Sequence, residues 1–213
     1  MQINKLEPSQ RGKGRWLAWL DNGSLLRVTE NEVADFALYA GMELSDEVYD
    51  KLTQAAGQSA VRAKALDYIS SRPMSRRELI QKLTARPRDL KKTPAATEEQ
   101  AQETADWLEG LGYLNDAEYA DTVVQQYSAK GYGERKLRDE LFRRGVPRQY
   151  WDNALEKAQP PEEGVDAFLR SRFKGHIPDE KECRRAADAL ARRGYSWSDI
   201  SAGLRRWGAE AED

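Results

Sequence analysis

Apolar residues recur at helical spacing along most of the chain, and only one stretch near its start has the pattern of paired strands. That stretch is RWLAWLDNGSLLRV, residues 15–28, in which two short apolar runs flank Asp21-Asn22-Gly23. Asn-Gly is a preferred pair for the positive φ angles of a type I′ hairpin turn. The pattern therefore predicts a β-hairpin, and because a lone hairpin is only marginally stable, we expect it to pack on a helix.

Helical segments follow one another from residue 29 onward. In a capping box, two side chains three residues apart bond the first free amide groups of a helix. This spacing occurs at Thr29 with Glu32, Ser75 with Glu78, and Thr97 with Gln100. The first helix is predicted to run to about Ala40, before Gly41, and helical spacing then continues from Ser45 to Pro73. RPRDLKKTPAA (86–96) is predicted to be a loop, and further helices are predicted to begin near residues 116, 134, 147, 162, 179 and 196.

These helical segments repeat one another. Moved by 58 positions without gaps, residues 69–86 place Arg77 on Arg135 and Leu83 on Leu141. Moved by 49 positions, residues 135–158 place Arg143-Arg144-Gly145 on Arg192-Arg193-Gly194. Units this short bury little core alone, so the pattern predicts an all-α, elongated array of three tandem three-helix repeats behind one N-terminal β-hairpin. The predicted boundaries are an extension at 1–59 and repeats at 60–115, 116–159 and 160–213.

Composition narrows the class of protein. The 213 residues are 33% charged and carry a net charge of −2, with six Trp, nine Tyr and four Phe, a content of aromatic residues that argues against disorder. A pI of about 5.7 argues against a simple nucleic-acid coat protein. Cys183, the single cysteine, favours a reducing compartment. With neither a signal peptide nor a membrane-length apolar run, the sequence leads us to expect a cytoplasmic monomer that contacts no membrane.

Six Lys and Arg are concentrated in YSAKGYGERKLRDELFRRG, residues 127–145. Drawn as a helix from about 134 to 144, this segment has Leu137 and Leu141 on one face, which we assign to packing. In the simplest interpretation its arginines pair with neighbouring carboxylates on a solvated face. Because the RRG triplet recurs at 192–194, a second interpretation is a basic stripe that binds a long polyanion or an acidic protein surface. The composition does not distinguish a polyanion from an acidic protein surface as the partner.

Four segments resemble the RecX family of bacterial recombinase regulators: AKALDYISSRPMSRRELIQKL, LEGLGYLNDAEYA, KGYGERKLRDELFRRGV and ALARRGYSWSDI. The resemblance covers residues 60–207 and is most specific at GYLND and at KGYG followed by Arg and Leu-x-x-Glu-Leu. It implies binding in the helical groove of the RecA–DNA filament, with DNA as a secondary contact. It also implies restraint of RecA's ATPase and strand exchange in recombination and repair. The third repeat departs from the pattern with alanines at 186, 187, 189 and 191, so its contact with a partner is expected to differ.

The sequence does not indicate an enzyme. His176 is the only histidine, which leaves neither a base for a nucleophile nor a Cys/His zinc cluster. RGKGR at 11–15 lacks the spacing of a phosphate-binding P-loop. We therefore expect no catalytic residue, metal or cofactor. Two alternatives to a filament regulator stay open: a direct duplex-DNA binder that uses one unit as a helix-turn-helix, and a helical scaffold for another protein. Against the first, no exposed helix N-terminus carries an Asn/Gln/Arg cluster for reading bases. Single- or double-stranded DNA stays open as a further partner.

The residues expected to contact the filament are basic and lie on two repeated helices: Lys136, Arg138, Arg143, Arg144, Arg192 and Arg193. Each RRG pair precedes a helix stop, where a guanidinium group reaches beyond the packed core and suits carboxylates and phosphates alike. Arg135 and Arg184 are assigned to folding rather than to binding. Because exposed charges contribute little to stability, we expect reversal of both arginines in the first RRG to leave the melting temperature nearly unchanged.

Overall fold

The computed structural model describes residues 1–10, 12, 14–87 and 93–210, which form three β-strands and ten α-helices. The strands are β1 (Ile3–Pro8), β2 (Arg15–Leu20) and β3 (Leu25–Thr29). The helices are α1 (Glu30–Asp35), α2 (Asp46–Ser71), α3 (Arg76–Thr84), α4 (Glu98–Gly110), α5 (Asp116–Ser128), α6 (Glu134–Arg143), α7 (Trp151–Leu155), α8 (Pro161–Phe173), α9 (Glu180–Arg192) and α10 (Trp197–Glu210). The predicted class, mostly helical with an N-terminal β-hairpin, is confirmed.

The strands form one antiparallel sheet in the order β1-β2-β3. Strands β2 and β3 are the predicted hairpin, with Trp19 opposite Leu25 and Gly23 at a φ of 81° in the turn. The first strand, INKLEP, pairs with β2 and was not predicted. Its alternation is weak, because four of its six residues are polar or proline, and it becomes a strand only through its partner.

One face of the sheet packs on helix α2. Ile3, Ala18, Leu20 and Val28 are buried on this face together with Leu52 of α2. Prediction and structure agree that the hairpin leans on a helix, and helical spacing from Ser45 to Pro73 corresponds to the single helix α2.

Helix α1 is shorter than the sequence suggested. Its capping box is present, because the Thr29 amide donates to the Glu32 carboxylate at 2.5 Å. The helix ends at Asp35 rather than near residue 40, and the chain leaves the helical conformation at Ala37, which has a φ of 47°. A positive φ at a residue with a Cβ breaks the helical backbone whatever the side-chain spacing.

The chain divides into two compact units. The N-terminal unit comprises Met1–Arg72 and Leu79–Gly110, and the C-terminal unit comprises Pro73–Glu78 and Leu111–Asp213. In the C-terminal unit, helices α5 to α7 enclose one core and helices α8 to α10 enclose another. The first contains Val124, Leu141 and Trp151, and the second contains Leu169 and Phe173.

Most predicted helix starts are confirmed by cap geometry. The Glu78 amide donates to Ser75 at 3.1 Å, and Thr97 and Gln100 bond each other's amides at 3.1 and 3.2 Å. Asn115 and Asp179 cap α5 and α9 in the same way. The predicted loop over 86–96 falls partly outside the described residues, since 88–92 are not described.

The RRG triplets join helical elements of the C-terminal unit through their backbones. The Arg193 carbonyl accepts from the Gly133 amide at 3.0 Å, and the Gly194 carbonyl accepts from the Arg135 amide at 3.2 Å. At the equivalent place, the Arg144 carbonyl accepts from the Ser75 hydroxyl at 2.5 Å. The 58-residue shift takes Ser75 to Gly133, and the 49-residue shift takes Arg144 to Arg193. The two sequence offsets therefore relate one junction to the other.

We predict that Gly133→Ala lowers the free energy of unfolding by about 1–3 kcal/mol, the usual cost of overpacking. A Cβ at Gly133 would stand 2.5 Å from the Tyr195 amide nitrogen and 2.6 Å from the Gly194 carbonyl oxygen, and neither backbone can yield without breaking the junction. Gly208→Ala in α10 is the control, because a Cβ there meets nothing within 4 Å. Denaturant unfolding followed by circular dichroism measures both, and equal midpoints for the two variants would refute the junction's importance.

Candidate interaction surface

Helix α6 carries the densest group of predicted contact residues. It begins after Gly133 and ends at Arg143, and Gly145 has the left-handed conformation at a φ of 71°. Leu137 and Leu141 are buried, as the spacing predicted. Glu140 is buried beside them with only 3% of its side chain exposed, so α6 brings a carboxylate into the core.

Glu140 is held by both arginines of the first RRG. Its oxygens accept from Nη2 of Arg143 at 2.6 Å and from Nε of Arg144 at 2.7 Å. Burial raises the pKa of Glu140, but hydrogen bonds from Arg143, Tyr127 and Arg144 outweigh burial and lower this pKa to about 2. The carboxylate is thus ionised throughout the ordinary pH range, and it orients the two guanidinium groups.

The Arg144 guanidinium lies between two tyrosines of helix α5. Its Nη1 donates to the Tyr119 hydroxyl at 2.7 Å and its Nη2 to the Tyr127 hydroxyl at 3.3 Å. The same group lies 5.9 and 5.6 Å from the centres of these rings, within cation–π range. Burial lowers the pKa of Arg144, but bonds to Tyr127, Tyr119 and Glu140 raise it above its ordinary value. Arg144 therefore fastens α6 to α5.

The expectation that both arginines of the pair are exposed is wrong for Arg144. The side chain of Arg143 is 72% exposed, whereas that of Arg144 is 27% exposed and has three side-chain partners. Reversal of both charges would therefore disrupt the fold through Arg144, so the melting temperature of that double variant is not expected to stay constant. The sequence shows two adjacent arginines, and only the packing of α5 distinguishes them.

The two arginines of the second RRG also differ in their surroundings. The Arg193 guanidinium lies 5.0 Å from the centre of the Phe168 ring, and its Nη1 donates to the Gly131 carbonyl at 3.4 Å. Phe168 is the residue that the 49-residue shift places on Tyr119. Arg192, like Arg143, is exposed. In both triplets the second arginine covers an aromatic ring and the first is directed to solvent.

Arg192 and Arg193 line a shallow hollow of about 810 Å³ on helices α8 and α9. Its lining residues are Phe168, Ser171, Arg172, Arg185, Asp188, Ala189, Arg192 and Arg193. Four guanidinium groups thus surround one carboxylate. Arg172 and Arg185 were missed by the sequence analysis. Arg185 corresponds to Lys136 under the 49-residue shift, which could have identified it, whereas Arg172 corresponds to the buried Val123 and has no signal in the repeat.

The remaining predicted residues have separate surroundings. Arg138 pairs with Glu134 at 2.7 Å and with Asp152 at 3.3 Å, and the bond to Glu134 raises its pKa. Lys136 lies beside the second RRG, because a Cβ on Gly194 would stand 2.8 Å from the Lys136 Cβ. Arg135 and Arg184, which the sequence analysis assigned to folding, are exposed.

Guanidinium groups define what this surface can bind. They donate in fixed pairs to carboxylate or phosphate oxygens, so the exposed arginines suit an acidic protein surface or a polyphosphate chain. Among the described residues, no group of three or more His, Cys, Asp or Glu side chains is placed to hold a metal ion. No described helix is both long and apolar enough to cross a membrane.

Helices joined at repeated junctions define the class of helical-repeat proteins. A family profile described as "RecX, second three-helix domain" matches residues 115–155. The chain is 33% identical over 144 residues to "Regulatory protein RecX" of Pseudomonas tolaasii, covering 67% of this chain and 88% of that relative. It is 25% identical over 205 residues to the protein of the same name from Streptococcus uberis, covering 95% of this chain and 75% of the relative.

Solved structures have the same fold. A crystal structure of regulatory protein RecX superposes with a TM-score of 0.72 at 23% identity, covering 96% of this chain and 98% of the other. The crystal structure of RecX from Lactobacillus salivarius gives a TM-score of 0.62 at 20% identity, covering 73% of this chain and 99% of the other. The chain belongs to the RecX family of regulatory proteins, as its sequence motifs indicated.

We predict that Arg144→Ala lowers the free energy of unfolding by about 2–3 kcal/mol, because it removes charge-assisted bonds to a buried carboxylate and two tyrosines. Arg143→Ala is the matched comparison on the same carboxylate, and we expect a smaller loss, because the Arg143 side chain is 72% exposed and Arg144 still holds Glu140. Equal losses in urea denaturation would show that the two arginines have the same structural role.

Stability should also depend on pH through Glu140. Because its pKa is lowered to about 2 in the folded state, the ionised form stabilises the fold above the pKa of the unfolded chain. This contribution is lost as the pH falls from about 4.5 through about 2. We therefore expect Glu140→Gln to be destabilising at neutral pH and to approach the wild-type stability near pH 2. Urea midpoints measured across this range test the assignment, and a difference that is constant with pH would contradict it.

Proposed function

We propose that this chain regulates recombination and repair by binding the RecA–DNA filament and lowering its ATP turnover and strand exchange. It acts as a cytoplasmic monomer without a cofactor. The contact surface is built from the predicted basic residues Lys136, Arg138, Arg143, Arg144, Arg192 and Arg193, together with Arg172 and Arg185 of the hollow. The exposed first arginines, Arg143 and Arg192, bind the partner directly, whereas Arg144 and Arg193 position the surface from beneath.

The hollow on α8 and α9 is the observation that carries this proposal. Like charges repel, so four guanidinium groups around the single carboxylate of Asp188 are costly for the chain alone. An acidic partner would relieve that repulsion. Arg192 is exposed at the rim of the hollow, where a partner can contact it while the unit stays folded.

The repeated junctions support a filament as the partner. We propose that the three repeats at 60–115, 116–159 and 160–213 are the binding units, because the Ser75 hydroxyl and the Gly133 amide occupy equivalent positions and donate to equivalent arginine carbonyls. Two units that present an exposed arginine at the same place, at Arg143 and at Arg192, suit a partner that is itself repetitive. A filament of identical subunits has that property.

The central test is charge reversal of the two exposed arginines. We expect Arg143→Glu with Arg192→Glu to weaken inhibition of RecA ATPase on single-stranded DNA about ten-fold or more, because two exposed cations become anions while Arg144 still holds the buried Glu140. The measurement is the protein concentration for half-maximal inhibition of ATP turnover, with RecA alone and this protein alone as references.

The chain supplies a matched control for this experiment. Arg135→Glu with Arg184→Glu makes the same change of net charge on the same two helices, at positions that the 49-residue shift also relates. We expect this variant to inhibit like the wild type. If both double variants lose inhibition equally, net charge rather than this surface is responsible, and if neither does, the contact lies elsewhere.

A further inference from the structure

The N-terminal unit has a second basic surface, separate from the arginines of the C-terminal unit. A cleft of about 420 Å³ lies between edge strand β3 and helix α2. Arg15, Arg27 and Lys64 line it against the one carboxylate of Asp67. Within the part of the chain that the structure describes, no carboxylate lies within ion-pair distance of Arg15 or Arg27. These positive charges are therefore available to a ligand.

The helical wall of the cleft is built from small residues. Ala56, Ser59, Ala60 and Ala63 of α2 face the strand edge and leave the space open. At one end stands Tyr68, whose ring centre is 5.9 Å from the Lys64 ammonium and 5.3 Å from the Lys82 ammonium. Cations therefore converge here from β2, β3, α2 and α3.

The cleft continues onto the outer face of the sheet. Arg15 is opposite Thr29, Leu17 is opposite Arg27, and Trp19 is opposite Leu25, so these side chains share the face that is turned away from the core. Trp19 is 39% exposed, which is unusual for so large an apolar side chain. On the same face Lys5 is paired with Glu7 at 2.6 Å, which leaves the unpaired cations at the Arg15 and Arg27 end. The surface thus has an aromatic end and a cationic end.

We propose that this surface binds single-stranded nucleic acid. A base stacks on the exposed indole of Trp19, and the following phosphates lie along Arg27, Arg15 and Lys64 in the cleft. Aromatic side chains beside a positive groove are the usual means of binding single strands without sequence preference. A duplex fits less well, because its bases are stacked on one another and leave nothing for Trp19. An acidic protein segment would use the cations and leave the indole without a role.

This binding is independent of the filament surface and is tested without RecA. The probe is fluorescently labelled oligothymidylate of about twenty nucleotides, long enough for one binding site, and anisotropy reports the affinity. We expect Trp19→Ala to weaken binding between about five-fold and a hundred-fold, the range for the stacking of one base on an aromatic ring. Arg15→Gln with Arg27→Gln should reduce the slope of log affinity against log salt by about 1.4, or about 0.7 for each phosphate that is no longer neutralised.

Two lysines of helix α2 give the matched comparison. Lys64→Gln removes a cation from the cleft, whereas Lys51→Gln removes one that is paired with Glu47 elsewhere on the helix. We expect the first variant to weaken binding about three-fold or more and the second to have no effect, with unchanged melting temperatures for both. Equal effects of the two lysines would overturn the proposal. So would tight binding of polyglutamate, equal affinity for a duplex, or a Trp19→Ala variant that binds like the wild type.

Discussion

The close approach of two backbones at Gly133 and Gly194 is the constraint on which the arrangement of the arginines depends. The Arg193 carbonyl reaches the Gly133 amide only because neither glycine has a Cβ. Gly194 also turns the chain with a φ of 92°, which ends α9 directly after the arginine pair. With the Arg193 carbonyl bonded in the junction, the Arg193 side chain lies over Phe168 of α8, and the Arg192 side chain is exposed to solvent. Each of the two RRG triplets thus forms a junction and leaves its first arginine exposed.

Sequence reasoning recovered the helices because their boundaries are set locally. Capping residues such as Asn115 and Asp179 bond amides two or three residues away, so their effect can be read within one short window. The hairpin was equally local, since Asn22-Gly23 specifies the turn. Strand β1 is different, because it ends at Pro8 and is hydrogen-bonded to β2, which begins only at Arg15. INKLEP becomes a strand only through this pairing, and no pattern within the segment itself predicts the pairing.

The candidate site was predictable to the extent that the repeat determines it. Arg143, Arg144, Arg192 and Arg193 followed from the triplets, but their different roles did not. The role of Arg144 depends on Tyr119 and Tyr127, which lie on another helix. A signal for it existed in the alignment of Tyr119 with Phe168, since an aromatic residue under the second arginine recurs in both units. Arg172 had no such signal, and only the packing of α8 on α9 brings it to the hollow.

Helix electrostatics explains how an acidic chain can display so many arginines. Glu162 and Glu163 stand in the first turn of α8, and Arg172 and Arg192 stand in the last turns of α8 and α9, where each sign is favoured by the helix dipole. Such placement stabilises a helix by only about 0.3–1 kcal/mol for each charge. The dipole therefore accounts for basic residues at helix ends, but not for Arg185, which lies in the first half of α9 and lines the same hollow. Among the described residues Arg185 makes no ion pair, and its charge is the one that the proposal above assigns to an acidic partner.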